Sequence, residues 1–169
     1  MRWLAVSWVA SLAVLLAGCT VPVNGLTGIS VDQQGHLIVV LAWCGRTAPD
    51  GAVIFHDVGS DESGQSVGDA DYDAPKLSGG LASFRVDAPG DGWKLDGKPP
   101  RFREKITYSA FGGTNDNSWS TGNVDFQLAT TRLIQPGHVL LQEDNGHDIQ
   151  VTRRVFYRMA HDPNEVECG

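Results

Sequence analysis

HLIVVLAWC, residues 36–44, is the longest apolar run in the chain beyond its N-terminal segment. The run contains branched aliphatic residues and has a glycine on either side, which predicts a central strand buried on both faces. Successive side chains of a strand point to opposite faces. One face would carry Leu37, Val39, Leu41 and Trp43, and the other Ile38, Val40, Ala42 and Cys44.

Further short segments on both sides of this run have the alternation and the turn boundaries of strands. They are residues 28–32, 51–58, 82–87, 105–111, 123–128 and 139–142. The residues between the fourth and fifth of these, GGTNDNSWSTG at 112–122, are turn-forming. We therefore expect a hairpin with a long tip at that position.

Two polar stretches and one amphipathic stretch complete the outline. Residues 59–80 and 87–100 are rich in Asp, Ser, Gly or Pro and are predicted to be loops. Near the C-terminus, Thr152 precedes RRVFYRMA and suits the N-cap of a short helix. The alternative is a strand that continues from Ile149.

Short strands, frequent turns and little helix predict an all-β fold, specifically an antiparallel immunoglobulin-like β-sandwich with one short C-terminal helix. We assign residues 29–169 to this domain. The length is enough for one core and too short for two. The order of the strands is not readable from the sequence.

The N-terminal segment has the organisation of a signal peptide. Arg2 is followed by an uncharged apolar stretch from Trp3 to Ala17 and then by Gly18-Cys19. About fifteen helical residues span roughly 22 Å, less than the ~30 Å hydrocarbon core, so a membrane-spanning helix is disfavoured. We expect residues 1–18 to be removed and residues 19–28 to form a short tether.

The tetrapeptide Leu16-Ala17-Gly18-Cys19 resembles the lipobox of bacterial lipoproteins. In that family the cysteine takes a diacylglyceryl group and becomes the first residue of the mature protein. The resemblance implies that Cys19 is lipidated and that the domain lies at the extracytoplasmic face of the cell membrane. Two acyl chains, at ~0.8 kcal/mol per buried methylene, give stable anchoring. The alternative is an ordinary cysteine behind an uncleaved helix.

The cysteine count is consistent with that assignment. The chain has three cysteines, and lipidation of Cys19 would leave Cys44 and Cys168. An oxidising compartment favours a disulfide between them, which would contribute about 2–4 kcal/mol. Two buried free thiols are the alternative.

Charge argues against nucleic acid as a partner. The formal net charge is −7, and loss of Arg2 with the signal peptide makes it about −8. Binding a polyanion requires a basic patch. The basic residues at 101–105 and 153–154 are few and lie among acids, so we interpret them as solvated faces.

No motif for catalysis or for a cofactor stands out. The histidines His36, His56, His138, His147 and His161 are scattered, without metal-ligand spacing, and we interpret them as surface or edge residues. Asp69, Asp71 and Asp73 resemble the start of a calcium loop, but Ala74 and Gly80 replace its glycine and its glutamate. A solvated loop is the favoured interpretation; a weak calcium site with Asp61 and Glu62 is the alternative.

Three tryptophans follow the signal peptide. Trp43, beside Cys44, is expected in the core. Trp93 and Trp119 lie among Gly, Asp, Asn and Ser, where an exposed ring face could stack on a sugar or meet a partner. The favoured alternative is that each ring folds back over its own loop.

LIVVLAWCG (37–45), APGDGW (88–93) and NSWSTGNVDF (117–126), together with the lipobox, resemble small uncharacterised lipoproteins of high-GC Gram-positive bacteria. The resemblance implies a surface location and carries over no catalytic residue. We expect a membrane-tethered binding or accessory module without enzymatic activity or a cofactor, whose partner is an envelope protein or a glycan. A carbohydrate- or peptidoglycan-binding module is the specific alternative, and a cell-envelope enzyme is the runner-up.

Overall fold

The structure is a computed structural model and describes residues 21–45, 47–58, 65–143 and 145–162. These residues form strands and two short helices, in the order β1 Val23–Val31, β2 Leu37–Trp43, β3 Gly51–Val58, β4 Gln65–Asp73, β5 Leu81–Arg85, β6 Lys94–Asp96, β7 Tyr108–Gly113, β8 Ser120–Gly122, β9 Val124–Phe126, α1 Leu128–Thr131, β10 His138–Gln142, β11 Asp148–Thr152 and α2 Arg153–Met159. The predicted all-β class is confirmed.

The strands belong to one curled, mixed sheet. Its main path is β11-β10-β1-β8-β7-β3-β4-β6, while β2 joins β1 to β5 and β9 pairs with β7. Strand β1 is central, because β2 lines one of its edges and β8 and β10 share the other. The predicted hairpin is confirmed by the antiparallel pairing of β7 with β9.

The prediction of a purely antiparallel arrangement is wrong. Strands β1 and β8 run parallel, with Val23 beside Ser120 and Leu26 beside Gly122. A tight loop turns the chain back from β7 into β8, and this reversal gives β8 the direction of β1. Side-chain alternation reports which face is buried and carries no information on strand direction, so this pairing was not visible in the sequence.

Strand β2 is buried on both faces, as predicted. Val39, Leu41 and Trp43 belong to a large apolar cluster inside the curl of the sheet. Val40 and Ala42 pack on the opposite side in a smaller cluster with Val139, Leu141 and Phe156. The single run at residues 36–44 therefore separates the two cores of the domain.

Strand β1 begins earlier than the sequence predicted. Residues 23–28, assigned to the tether, are part of the sheet, and Gly25 and Gly28 are buried. A Cβ at Gly25 would lie 2.2 Å from the carbonyl oxygen of Ala42, and one at Gly28 would lie 2.2 Å from Cγ1 of Val139. These glycines permit close approach of neighbouring chains and do not mark a flexible linker, which corrects the boundary at residue 28.

The predicted loop at 59–80 contains a strand. Residues 65–73 form β4, which pairs along β3, and Ala70 and Tyr72 point into the large cluster. The Tyr72 hydroxyl donates to the carbonyl oxygen of Val86 at 2.8 Å. Most of β4 is exposed, so its composition resembles that of a loop although its backbone is paired.

The C-terminal helix is confirmed as α2, and the Thr152 side chain accepts a hydrogen bond from the backbone N–H of Val155. Strand β11 ends where α2 begins, so the segment contains both the predicted helix and the alternative strand that includes Ile149. Strand β6 lies within the predicted loop at 87–100 and strand β8 within the predicted turn at 112–122, which corrects both predictions, and helix α1 was not predicted.

Candidate functional site

The predicted cysteine sites fall largely outside the described residues. Cys19 and Cys168 both lie there, so lipidation and the disulfide remain predictions. Cys44 follows β2, is 4% exposed, and its Sγ lies 3.7 Å from the carbonyl oxygen of Asn24. The signal peptide, residues 1–18, also lies outside the described part, as do Asp61 and Glu62.

Trp93 is not an exposed platform. It is 5% exposed, and its ring stacks on Phe84 with centroids 4.3 Å apart. Phe84 in turn contacts Tyr72, so the three rings form one stack inside the curl of the sheet. The favoured interpretation, a ring that is not exposed, agrees with this burial, but the ring packs on Phe84 of β5 and not over its own loop.

Trp119 is equally buried but differently placed. It too is 5% exposed, and it forms part of the wall of a surface cleft of about 490 Å³. Its indole Nε1 is buried and has no hydrogen-bond partner among the described residues. A buried donor left without a partner costs about 1–3 kcal/mol.

The cleft lies where β3, β4, β7 and β8 meet, and it combines aromatic rings with uncharged polar groups. Its lining comprises Val21, Gly51, Ala52, Val53, Asp71, Phe111, Gly113, Thr114, Asn115, Asn117, Trp119, Ser120 and Asn123. Apolar walls with a few convergent polar groups are characteristic of small-molecule sites. None of these lining residues carries a positive charge.

The Thr114 hydroxyl makes several of the hydrogen bonds that hold the loop between β7 and β8. Oγ1 of Thr114 accepts from the backbone N–H groups of Ser118 at 3.0 Å and of Trp119 at 3.3 Å. The Thr114 backbone N–H donates to the carbonyl of Trp119 at 3.2 Å. Asn117 takes a left-handed conformation, with φ of 55°, which asparagine tolerates better than most residues. The amides in this loop are therefore presented on a fixed backbone.

Buried threonines fix the strand that follows the loop. Oγ1 of Thr121 in β8 lies 2.5 Å from Oγ1 of Thr27 in β1 and accepts from the backbone N–H of Gly112 at 2.7 Å. Thr121 is 1% exposed and Thr27 is 2% exposed. This buried network ties β8 to both of its neighbours and so positions Ser120 and Trp119 at the cleft.

Carboxylates set the electrostatics of the cleft. Asp71 lines it, and Asp50 beside it accepts from the backbone N–H of Asn115 at 3.0 Å. Hydrogen bonds from Ser118 and Thr114 hold the pKa of Asp116 below its usual value, so this carboxylate stays ionised at neutral pH. The surroundings of the cleft are therefore negative, which disfavours anionic ligands.

A buried histidine pairs with a partly buried aspartate, and the sequence did not predict this pair. Nδ1 of His56 lies 2.6 Å from Oδ2 of Asp69, and His56 is 6% exposed. Strand β4 has a bulge here, since Ile54 pairs with Ala70 and Phe55 with Gly68, which leaves Asp69 as the extra residue. A bulge re-aims a side chain, and this one lets Asp69 reach the inner face.

The signal for the inward orientation of His56 was present in the sequence, because it continues the alternation of Ala52 and Ile54. The interpretation of His56 as a surface residue is therefore wrong. Strand pairing also corrects the interpretation of residues 69–73 as a solvated loop. Of the other histidines, His36 pairs with Asp32 at 2.7 Å, and Nδ1 of His138 is buried without a partner among the described residues.

The described part of the chain contains no group of three or more His, Cys, Asp or Glu residues suited to hold a metal ion. Within the same residues, no helix has the length and hydropathy needed to cross a bilayer. In comparisons with known proteins, no family model matched the sequence, and no curated protein or solved structure matched it either.

Proposed function

We propose that this protein is a lipid-anchored, extracytoplasmic binding module whose cleft beside Trp119 binds a neutral carbohydrate. The observation that carries the proposal is the lining of the cleft, which includes two aromatic residues, three asparagines, a threonine and a serine. Sugars present apolar C–H faces and many hydroxyls, so rings and uncharged hydrogen-bonding groups recognise them together.

Charge narrows the class of ligand. The cleft offers a carboxylate acceptor in Asp71 and no cation. A phosphate or a carboxylate ligand would be placed close to Asp71 and Asp116 without a compensating charge. A neutral glycan can instead donate its hydroxyls to carboxylate and amide oxygens and accept from amide N–H groups. The proposal therefore excludes acidic sugars.

The location rests on the sequence. The lipobox at residues 16–19 supports cleavage before Cys19 and its lipidation, and the cysteines that remain support a disulfide between Cys44 and Cys168. An immunoglobulin-like packing of two halves of the sheet belongs to the same proposal. Its support is the contact of Tyr72 in β4 with Phe84 in β5 across the large cluster, at a centroid distance of 4.5 Å.

The ligand is tested with an array of neutral glycans. The full-length protein is purified from bacterial membranes in a detergent without a sugar headgroup, and the glycans it retains are titrated by calorimetry. Asn123→Ala removes a cleft amide and should weaken binding about tenfold. The matched control is Asn145→Ala, an exposed amide in the turn between β10 and β11, which should bind normally. Absence of any binding by the native protein would reject the proposal.

The anchor is tested separately, by metabolic labelling with an alkyne fatty acid and by cell fractionation. Cys19→Ser should abolish the label and move the protein out of the membrane fraction, because the acceptor thiol is lost. Retention of the label in that variant would contradict the assignment of Cys19.

A further inference from the structure

The cleft opens next to the proposed anchor. Val21 lines the cleft and is 38% exposed, and it lies two residues after Cys19. Two residues span at most about 7 Å. If Cys19 carries the lipid, as the proposed function holds, one wall of the cleft lies within about that distance of the attachment point.

The first strand of the sheet begins close to the cleft. Strand β1 begins at Val23, only two residues beyond Val21, and Val23 pairs with Ser120, which lines the cleft. The cleft and the tether thus meet on the same pair of strands. Val21 and Val23 are both exposed apolar side chains, which suits contact with the boundary between headgroups and acyl chains.

The electrostatics select among membrane lipids. Asp71 in the cleft and Asp116 in the adjoining loop repel phosphate headgroups, and the whole chain carries a net charge of −7. A neutral, hydroxyl-rich headgroup meets no such repulsion and matches the amides and hydroxyls of the lining.

We propose that the cleft binds the neutral carbohydrate headgroup of a glycolipid in the same membrane that anchors the protein. This inference rests on the proposed function and adds the source of the ligand. The protein and the glycolipid would be anchored in the same bilayer, which raises their effective concentration. A modest intrinsic affinity of the cleft for the sugar is then sufficient for binding.

The test uses lipidated full-length protein with fluorinated tryptophan in phosphatidylcholine nanodiscs, observed by fluorine NMR. The Trp119 resonance is assigned by its loss in Trp119→Phe. One arm adds a diacylglycerol lipid whose headgroup is the disaccharide retained best on the array; the matched arm adds the same disaccharide as a free methyl glycoside. We expect the lipid-borne sugar to shift Trp119 at a bulk concentration at least tenfold lower than the free glycoside needs.

A variant with about ten Gly and Ser residues inserted between Thr20 and Val21 lengthens the tether between the anchor and the cleft and leaves the lining of the cleft unchanged. It should respond to the free glycoside as the native protein does and should lose most of the advantage of the lipid-borne sugar, because a longer flexible tether lowers the effective concentration. An unchanged advantage in this variant would contradict the inference.

The remaining outcomes distinguish the two proposals. Equal responses to free and lipid-borne sugar would overturn the inference and leave carbohydrate binding intact. No response of Trp119 to either form would overturn both. A response to phosphatidylglycerol equal to that of the glycolipid would show that the site does not select neutral headgroups and would also overturn the inference.

Discussion

Trp93 and Trp119 have the same exposure, 5%, and both belong to the large apolar cluster, yet their surroundings differ in kind. Trp93 stacks on Phe84 within a continuous group of rings. Trp119 is among the residues that line a cleft, and its buried N–H has no partner among the described residues. Two tryptophans of equal exposure therefore differ in what adjoins them, a neighbouring ring for Trp93 and a surface cleft for Trp119.

The largest expected effect comes from removal of the stacked ring. Trp93→Ala should lower the free energy of unfolding by about 3–5 kcal/mol, because it opens a cavity beside Phe84. Urea unfolding followed by circular dichroism measures the change. A decrease in the free energy of unfolding of less than about 1 kcal/mol would show that Trp93 does not stabilise the core and would contradict the comparison with Trp119.

The matched pair Trp119→Phe and Trp93→Phe sharpens the contrast. Trp119→Phe should weaken glycan binding about tenfold or more while changing the free energy of unfolding by less than about 1 kcal/mol, since it also removes an unsatisfied buried N–H. Trp93→Phe should cost about 1–2 kcal/mol of stability and leave binding unchanged. Calorimetric titration and urea unfolding of both variants measure these values. Equal losses of affinity in the two variants would refute the distinction.

Thr114→Val tests whether the loop must be fixed for the cleft to work. The variant loses the hydroxyl that accepts from Ser118 and Trp119, so we expect a loss of stability of about 1–2 kcal/mol and weaker glycan binding. Thr114→Ser keeps the hydroxyl and should bind like the native protein. Native affinity in Thr114→Val would mean that the loop does not position the site.

The smallest effect concerns pH. Hydrogen bonds from Ser118 and Thr114 hold the pKa of Asp116 below the usual value of an aspartate. A depressed pKa contributes stability that is present above the unfolded pKa and is lost as the pH falls through the folded value. Asp116→Asn should therefore flatten the acid limb of the stability curve below about pH 4. Identical slopes for the native and variant proteins in urea unfolding across that range would contradict the shift.

Hydrophobic periodicity in the sequence predicted the strands in which each face is uniformly buried or uniformly exposed. The run at 36–44 gave both faces of β2 correctly, and Thr152 marked the start of α2. Periodicity did not predict the elements that are stabilised by close packing or strand pairing and not by a hydrophobic pattern of their own. Gly25 and Gly28 resemble a linker but allow close packing, and β4 is polar although it is paired along its length.

The candidate site was only partly visible for the same reason. The sequence places Trp119 among asparagines, but the cleft depends on the parallel pairing of β8 with β1 and on the regular antiparallel pairing of β3 with β7. These contacts join residues far apart in the chain, and local composition does not encode them. The His56–Asp69 pair likewise depends on a one-residue bulge, which no alternation pattern predicts.

The central claim is that the cleft beside Trp119 is a ligand site, and the indole N–H signal of that residue tests it most directly. In nitrogen-labelled full-length protein, titration with the neutral glycan retained best on the array should shift the Trp119 indole cross-peak and leave that of Trp93 in place. A titration in which the Trp119 signal stays fixed, or in which only the Trp93 signal moves, would contradict the account.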